Sequence, residues 1–156
     1  MNMEIRHDLT EETVSDFFIS DPRLSYIGLD DDSLVYMYNN QKYKAKENTV
    51  YAGVYHEDEL ICVFRWELFT PITVGIHLYL KSKLHKSNMF TKISNMIIDF
   101  YKDKSSFKKL LVFAPGSCVH VHKAAKRVGF EEEAIIKKCL IWRKELVDLH
   151  IFSLEL

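Results

Sequence analysis

Between Met89 and Asp103, apolar residues recur at 89/90, 93, 96/97 and 100/101. Steps of three and four residues place one apolar stripe along one face of a helix. On either side the period changes. Residues 72–80 (ITVGIHLYL) and 109–114 (KLLVFA) are short runs rich in apolar and β-branched residues and predict strands. The basic loop KSKLHKSN, residues 81–88, joins the first strand to the helix. After the second strand, the Pro115-Gly116 turn leads into a short helix over 118–127, with Gly129 as its left-handed C-cap. A strand whose loop feeds a helix N-terminus suits a phosphate, because the first amides of the helix lack partners and its dipole favours an anion.

The flanks complete the pattern. Met3 to Arg6 predicts a short strand. Thr10, followed by Glu11 and Glu12, predicts the cap of a helix running through Val14, Phe17 and Phe18 and ending before Pro22. Asp30, Asp31 and Asp32 read as the start of a second helix, a cap with solvated charges rather than a metal site. From Asn48 to Leu80 the chain reads as an antiparallel meander with turns at Glu57-Asp58-Glu59 and Thr70-Pro71. The tail predicts two more strands, about 132–143 and 146–154, the second alternating as a half-buried strand should. The order β-α-α-β-β-β-α-β-α-β-β predicts one α/β (α+β) domain over 1–156, with a mixed, mainly antiparallel central sheet flanked by helices. The meander forces antiparallel pairing, whereas the helix between strands 72–80 and 109–114 permits a parallel crossover.

Composition narrows the function classes. The chain has 156 residues, 47% hydrophobic and 28% charged, with a formal net charge of −1. These values fit a globular domain with a real core. Without a global basic excess, a nucleic-acid partner is not expected unless a local patch provides it. Cys62, Cys118 and Cys139 show no CxxC spacing, so neither a disulfide scaffold nor a structural zinc site is expected. No apolar run reaches the roughly 18 residues of a membrane span, and the first residues lack a signal-peptide core. A cytoplasmic location is expected.

The element order, together with AAKRVGFEEEAIIKKCLIWRKELVDLHIFSLEL at the end, resembles the GCN5-related N-acetyltransferase family. There a helix ends in Gly-Phe, a Glu-rich strand follows and a hairpin returns. GIHLYL is similar to the fourth strand of that fold, especially in forms encoded by bacteriophages. The resemblance implies an acyl-CoA N-acyltransferase-like fold and transfer of an acyl group from acetyl-CoA to an amine. It also implies a pyrophosphate loop, Q/R-x-x-G-x-G/A, at His85, Lys86, Ser87, Asn88, Met89 and Phe90. The backbone of Leu78 and Leu80 would hold the pantetheine arm, and Cys118 stands where an Asn contacting that arm is usual. His85 replaces Arg or Gln. Asn88 replaces one glycine as a residue that tolerates positive φ. Phe90 stands where Gly or Ala is expected, so its ring either crowds the phosphate or turns into the core. The usual Tyr acid falls at Ala125, and a Ser used in a related subgroup falls at Val121.

Four residues are candidates for the chemistry. Glu67, near a strand end, is either a base for the amine or a solvated carboxylate. His77, in the middle of strand 72–80, is either a base near neutral pH or a hydrogen-bonded structural histidine. His122 would replace the missing acid, or is an idle surface histidine; His120, two residues away, does not share its face. Cys118, at a helix N-terminus, is also a candidate thiolate. Lys81, Lys83, Lys86 and Lys92 surround the loop and would either attract phosphates or form a solvated face. Two functions follow. One is an N-acetyltransferase with a small-molecule or protein amine acceptor. The other is a catalytically degenerate relative acting in phage virion or head assembly, in the host cytoplasm or virion, with aromatics such as Tyr51, Tyr55 and Trp66 as a partner patch. A homodimer through the C-terminal hairpin edge is a further expectation.

Overall fold

The computed structural model describes residues 3–7, 9–21, 24, 49–85 and 88–156. The helix expected at Asp30 to Asp32, and the loop residues Lys86 and Ser87, lie outside them.

Strand β1 (Met3–Arg6) is followed by helix α1 (Glu11–Ser20). Thr10 caps that helix as its sequence requires: the Thr13 amide donates to Thr10 Oγ1 at 3.1 Å, and Glu11 and Glu12 occupy the positive end of the dipole. The meander is β2 (Thr49–His56), β3 (Glu59–Thr70) and β4 (Thr73–Leu80). Helix α2 (Met89–Lys104), strand β5 (Lys109–Pro115), helix α3 (Val119–Arg127) and the hairpin β6 (Glu131–Trp142) and β7 (Glu145–Glu155) complete the chain. Gly129 ends α3 with φ +97°, the left-handed conformation expected of it.

The strands form one seven-stranded sheet in the order β1-β2-β3-β4-β5-β7-β6. Every pairing is antiparallel except β4 with β5, the pair joined through α2. The expected fold class and crossover therefore hold. Strand alternation sorts the side chains into two cores. Val74, Ile76 and Leu80 of β4 face the core that α2 and α3 cover with Ile93, Ile97, Tyr101 and Ala125. Tyr79, Val63 and Tyr51 face the opposite side, where α1 packs Val14, Phe17 and Phe18 against them. Burial of these side chains contributes roughly 1.5–3 kcal/mol each, which is what holds the helices on the sheet.

Candidate active site

The parallel pairing of β4 and β5 stops early. It runs from Thr73↔Lys109 through Val74↔Leu110 to Gly75↔Leu111 and goes no further. Beyond it, β4 stays paired to β3 as far as Leu80, and β5 stays paired to β7 as far as Pro115. The two strands thus diverge inside the sheet, and among the described residues no other strand pairs with the edges that face the gap between them.

The backbone groups on the β4 edge follow from the ladder. The Lys81 amide donates to the Ile61 carbonyl across the β3 side at 3.1 Å. On the other side, the Ile72 carbonyl accepts from Lys108 and Lys109 at 2.8 and 3.2 Å. In an antiparallel pair these directions alternate residue by residue. Ile76, Leu78 and Leu80 therefore turn their amides and carbonyls away from β3 and into the gap. Leu78 and Leu80 are the two positions expected to present backbone there.

At the apex of the gap, Gly75 is required by close approach. A Cβ there would lie 2.5 Å from Phe69 and 3.3 Å from Phe113. Phe113 of β5 stacks on Phe69 of β3, with centroids 5.3 Å apart, and faces His77 of β4 at 6.1 Å. The rings roof one face of the divergence. His77 is beside Arg65, its cross-strand partner. Burial, and then the Arg65 charge, lower its pKa to about 3. The expectation of a base near neutral pH is therefore corrected: this imidazole is neutral at pH 7 and weakly basic. Glu67 pairs across from Gly75, so strand alternation places it on the same face as His77 and Arg65.

His122 lies on the opposite face of the sheet, against Phe152 at 5.2 Å. Its Nε2–H donates to the Pro115 carbonyl at 2.9 Å, which ties α3 to the end of β5. Its ring is 4.4 Å from that of His150, whose Nδ1–H donates to Glu132 at 2.5 Å. The sequence reading missed His150 and Glu132, although the alternation of VDLHIFSL already placed His150 on the face of Phe152. Burial pushes the His122 pKa down, and the neighbouring His150 and Lys126 push the same way. Its Nε2 proton is committed to Pro115, so its visible role is to hold the strand end. Cys118, the N-cap of α3, is buried, and burial raises its pKa against the opposing charge of Arg143. The lowered thiol pKa weighed for its helix position is not found, because desolvation outweighs the Arg143 charge and the hydrogen bond with Ser117.

The loop is held by contacts the sequence did not reveal. The Ser82 amide donates to Asp21 at 2.7 Å, and His85 Nε2–H donates to the Leu80 carbonyl at 2.7 Å. Lys81 and Lys83 both bind Glu59 on the β2–β3 turn, at 2.9 and 2.7 Å, and they hold its carboxyl at about 2, Lys83 contributing most. Asn88 is the N-cap of α2 with φ −76°, so its tolerance of positive φ is not used. It makes no side-chain capping bond, and the first turn of α2 carries no acid, which leaves the positive end of the dipole uncompensated. Met89 and Phe90 pack against the core. Phe90 thus belongs to the helix stripe. Among the described residues, no three His, Cys, Asp or Glu side chains converge as metal ligands, and no helix is long and apolar enough to cross a membrane.

No protein-family model and no curated protein matches the chain. Solved structures do match. RimL, a ribosomal L7/L12 alpha-N-protein acetyltransferase in complex with coenzyme A, is 13% identical with a TM-score of 0.82, the alignment covering 100% of this chain and 95% of that one. SpeG, a spermidine N-acetyltransferase from Vibrio cholerae, is 12% identical with a TM-score of 0.76, over 98% of this chain and 93% of that one. An acetyltransferase of the GNAT family from Streptococcus pneumoniae is 9% identical with a TM-score of 0.71, over 99% of each chain. At these identities the likeness is one of fold: the chain has the architecture of the GCN5-related acyl-CoA N-acyltransferases.

Proposed function

We propose that this protein is an acetyl-CoA-dependent N-acetyltransferase acting on an amine. The observation that carries the reading is the early end of the β4–β5 pairing at Gly75 and Leu111, which leaves two strand edges facing one gap. The Leu78 and Leu80 backbone would bind the amides of a pantetheine arm as an added strand does. The uncapped start of α2, with Asn88 to Phe90 and the preceding Lys86 and Ser87, would receive the pyrophosphate. When bound, the coenzyme supplies an activated thioester. A β4 edge amide would polarise its carbonyl. Glu67 would take a proton from the incoming amine, with the neutral His77 beside it orienting the acceptor.

A second reading has its own support. His85 already occupies the Leu80 carbonyl, and Lys81 and Lys83 already share the Glu59 carboxylate, which offsets one of their two charges. A coenzyme would have to displace the first and recruit around the second. These contacts favour weak coenzyme binding, as in a catalytically degenerate protein serving a virion or another protein partner. Thermal unfolding with acetyl-CoA separates the two. Ligand at a hundred times its dissociation constant adds about 2.7 kcal/mol, a rise of roughly 5–10 °C for a domain near this size. We expect a rise of that order at millimolar coenzyme, together with acetylation of an amine. No rise would overturn the acetyltransferase reading in favour of the degenerate one.

A further inference from the structure

At the end of β3 one aromatic ring is placed for neither the ladder nor the core. Leu68 pairs with Val74 and Thr70 with Thr73, so Phe69 is the extra residue of a β-bulge. It is 50% exposed. Its ring nevertheless stacks on Phe113, with centroids 5.3 Å and planes 29° apart, and Phe113 lies nearly parallel to His77, at 6.1 Å and 15°. Gly75 makes this possible, since a Cβ there would lie 2.5 Å from Phe69 and 3.3 Å from Phe113. A bulge gives up ladder pairing, and an exposed ring leaves apolar surface in water. The chain accepts both and obtains a flat aromatic wall drawn from β3, β4 and β5.

Charge beside the wall sorts what can approach it. Arg65 faces His77 across the β3–β4 ladder, and Glu67 follows on the same face of β3. The neighbouring positions on β2 and β5 are Tyr51, paired with Arg65, and Leu111, paired with Gly75. Burial and the Arg65 charge both disfavour a proton on His77. The same two causes act on any ammonium set beside that imidazole. An alkyl amine such as that of lysine is neutral in only roughly one molecule in 2,500 at pH 7, and it must shed solvent and a proton to stand there. An aromatic amine arrives uncharged, because its lone pair is delocalised into the ring, and it brings a flat face that the wall can stack.

We propose that the acceptor is an aromatic amine, uncharged at neutral pH, with its ring laid on Phe69 and Phe113 and its nitrogen beside His77. The fate of that amine rests on the acetyltransferase reading. In the transfer the nitrogen bonds the acyl carbon as the carbon–sulfur bond breaks. The electron pair leaves with sulfur, and Glu67 takes the proton that the nitrogen sheds. Arg65 selects by charge, and the two rings select by shape. A polyamine meets the opposite conditions, a cation at Arg65 and no ring for the wall.

The test compares 4-methylaniline with benzylamine. They are isomers with the same ring, the first neutral and the second protonated at pH 7. Dissociation constants come from ligand-observed saturation-transfer NMR on the full-length protein, and rates from thiol release with acetyl-CoA. Wild type is compared with Phe69→Leu, which keeps apolar bulk without a ring, with Arg65→Gln, and with Leu68→Ser, which alters a half-exposed side chain on the opposite face, that of its partner Val74. We expect 4-methylaniline to bind and react at least tenfold better than benzylamine, Phe69→Leu to lose at least fivefold of that binding, Leu68→Ser to lose none, and Arg65→Gln to narrow the preference. Benzylamine or spermidine preferred over 4-methylaniline, unchanged binding in Phe69→Leu, or an unchanged preference in Arg65→Gln overturns the proposal. Absence of 4-methylaniline binding in a protein that acetyl-CoA stabilises overturns the proposal and leaves the acetyltransferase reading standing. Binding that depends on Phe69 in a protein showing no thermal response to acetyl-CoA supports the aromatic site and overturns the acetyltransferase reading alone.

Discussion

Tyr101 brings a hydroxyl into the core at 3% exposure, where it finds no hydrogen-bond partner among the described residues. Burial pushes its pKa upward. Removing an unsatisfied buried group while keeping the ring relieves a desolvation cost, so Tyr101→Phe is expected to stabilise the protein by about 1 kcal/mol, a rise of roughly 2–4 °C in Tm measured by calorimetry. His77 makes the opposite kind of statement. Its folded pKa, about 3, lies below the ordinary histidine value of 6.5. Above pH 6.5 the imidazole is neutral in both states and costs nothing. Between 6.5 and 3 the unfolded chain binds a proton that the folded chain refuses, so stability falls as the pH falls. His77→Gln is expected to flatten the decline in Tm between pH 6 and 4, by up to about 1.4 kcal/mol per pH unit at its steepest. A parallel decline in wild type and variant would show that His77 is not the group responsible.

At the scale of elements, the loop after β4 is braced from outside its own sequence. Glu59 holds Lys81 and Lys83, Asp21 holds the Ser82 amide, and His85 reaches back to Leu80. Four lysines near a phosphate-suited turn read, in one dimension, either as an attraction for phosphates or as a solvated face. In three, two of them are spoken for. Glu59→Gln is therefore expected to release Lys81 and Lys83 and to tighten coenzyme binding several-fold at low salt, the gain fading as salt screens the lysines. Calorimetric titration of wild type and variant with coenzyme A at two ionic strengths checks this; equal affinities at low salt would mean that the lysines do not reach the phosphates even when free. The β6–β7 hairpin is the second element whose sequence runs against local preference, with Arg-Lys in place of Asn-Gly at its turn.

For the molecule as a whole, the sheet divides the work. The α2–α3 side carries the main core, from Phe64 and Leu110 to Phe152, and holds the diverging strands apart. The other side carries the α1 cluster and, next to it, the face with Arg65, Glu67 and His77. In the proposed reading, a coenzyme lying between β4 and β5 would meet an acceptor from that face. Thermal stabilisation by acetyl-CoA is the prediction that belongs to this scale, because the ligand would bridge two strands whose backbones are not paired with each other beyond Gly75.

Among the described residues, the sequence by itself determined the element types, their order and most boundaries within one or two residues, because periods of two and 3.6 report local burial directly. Thr10 and Gly129 announced helix ends for the same local reason. It also placed Leu78 and Leu80 on the strand whose outer edge is unpaired. It did not reveal that Glu59 binds two of the loop lysines, that His85 covers the Leu80 carbonyl, or that His122 packs on a His150 paired to Glu132, since most of those contacts join residues distant in sequence. Whether Phe90 would crowd a phosphate or join the core was settled by the packing of α2. Of the alternatives open for His77 and Cys118, burial disfavours the neutral-pH base and the low-pKa thiol, because desolvation depends on what surrounds a group in space and leaves no mark on the residues beside it in the chain.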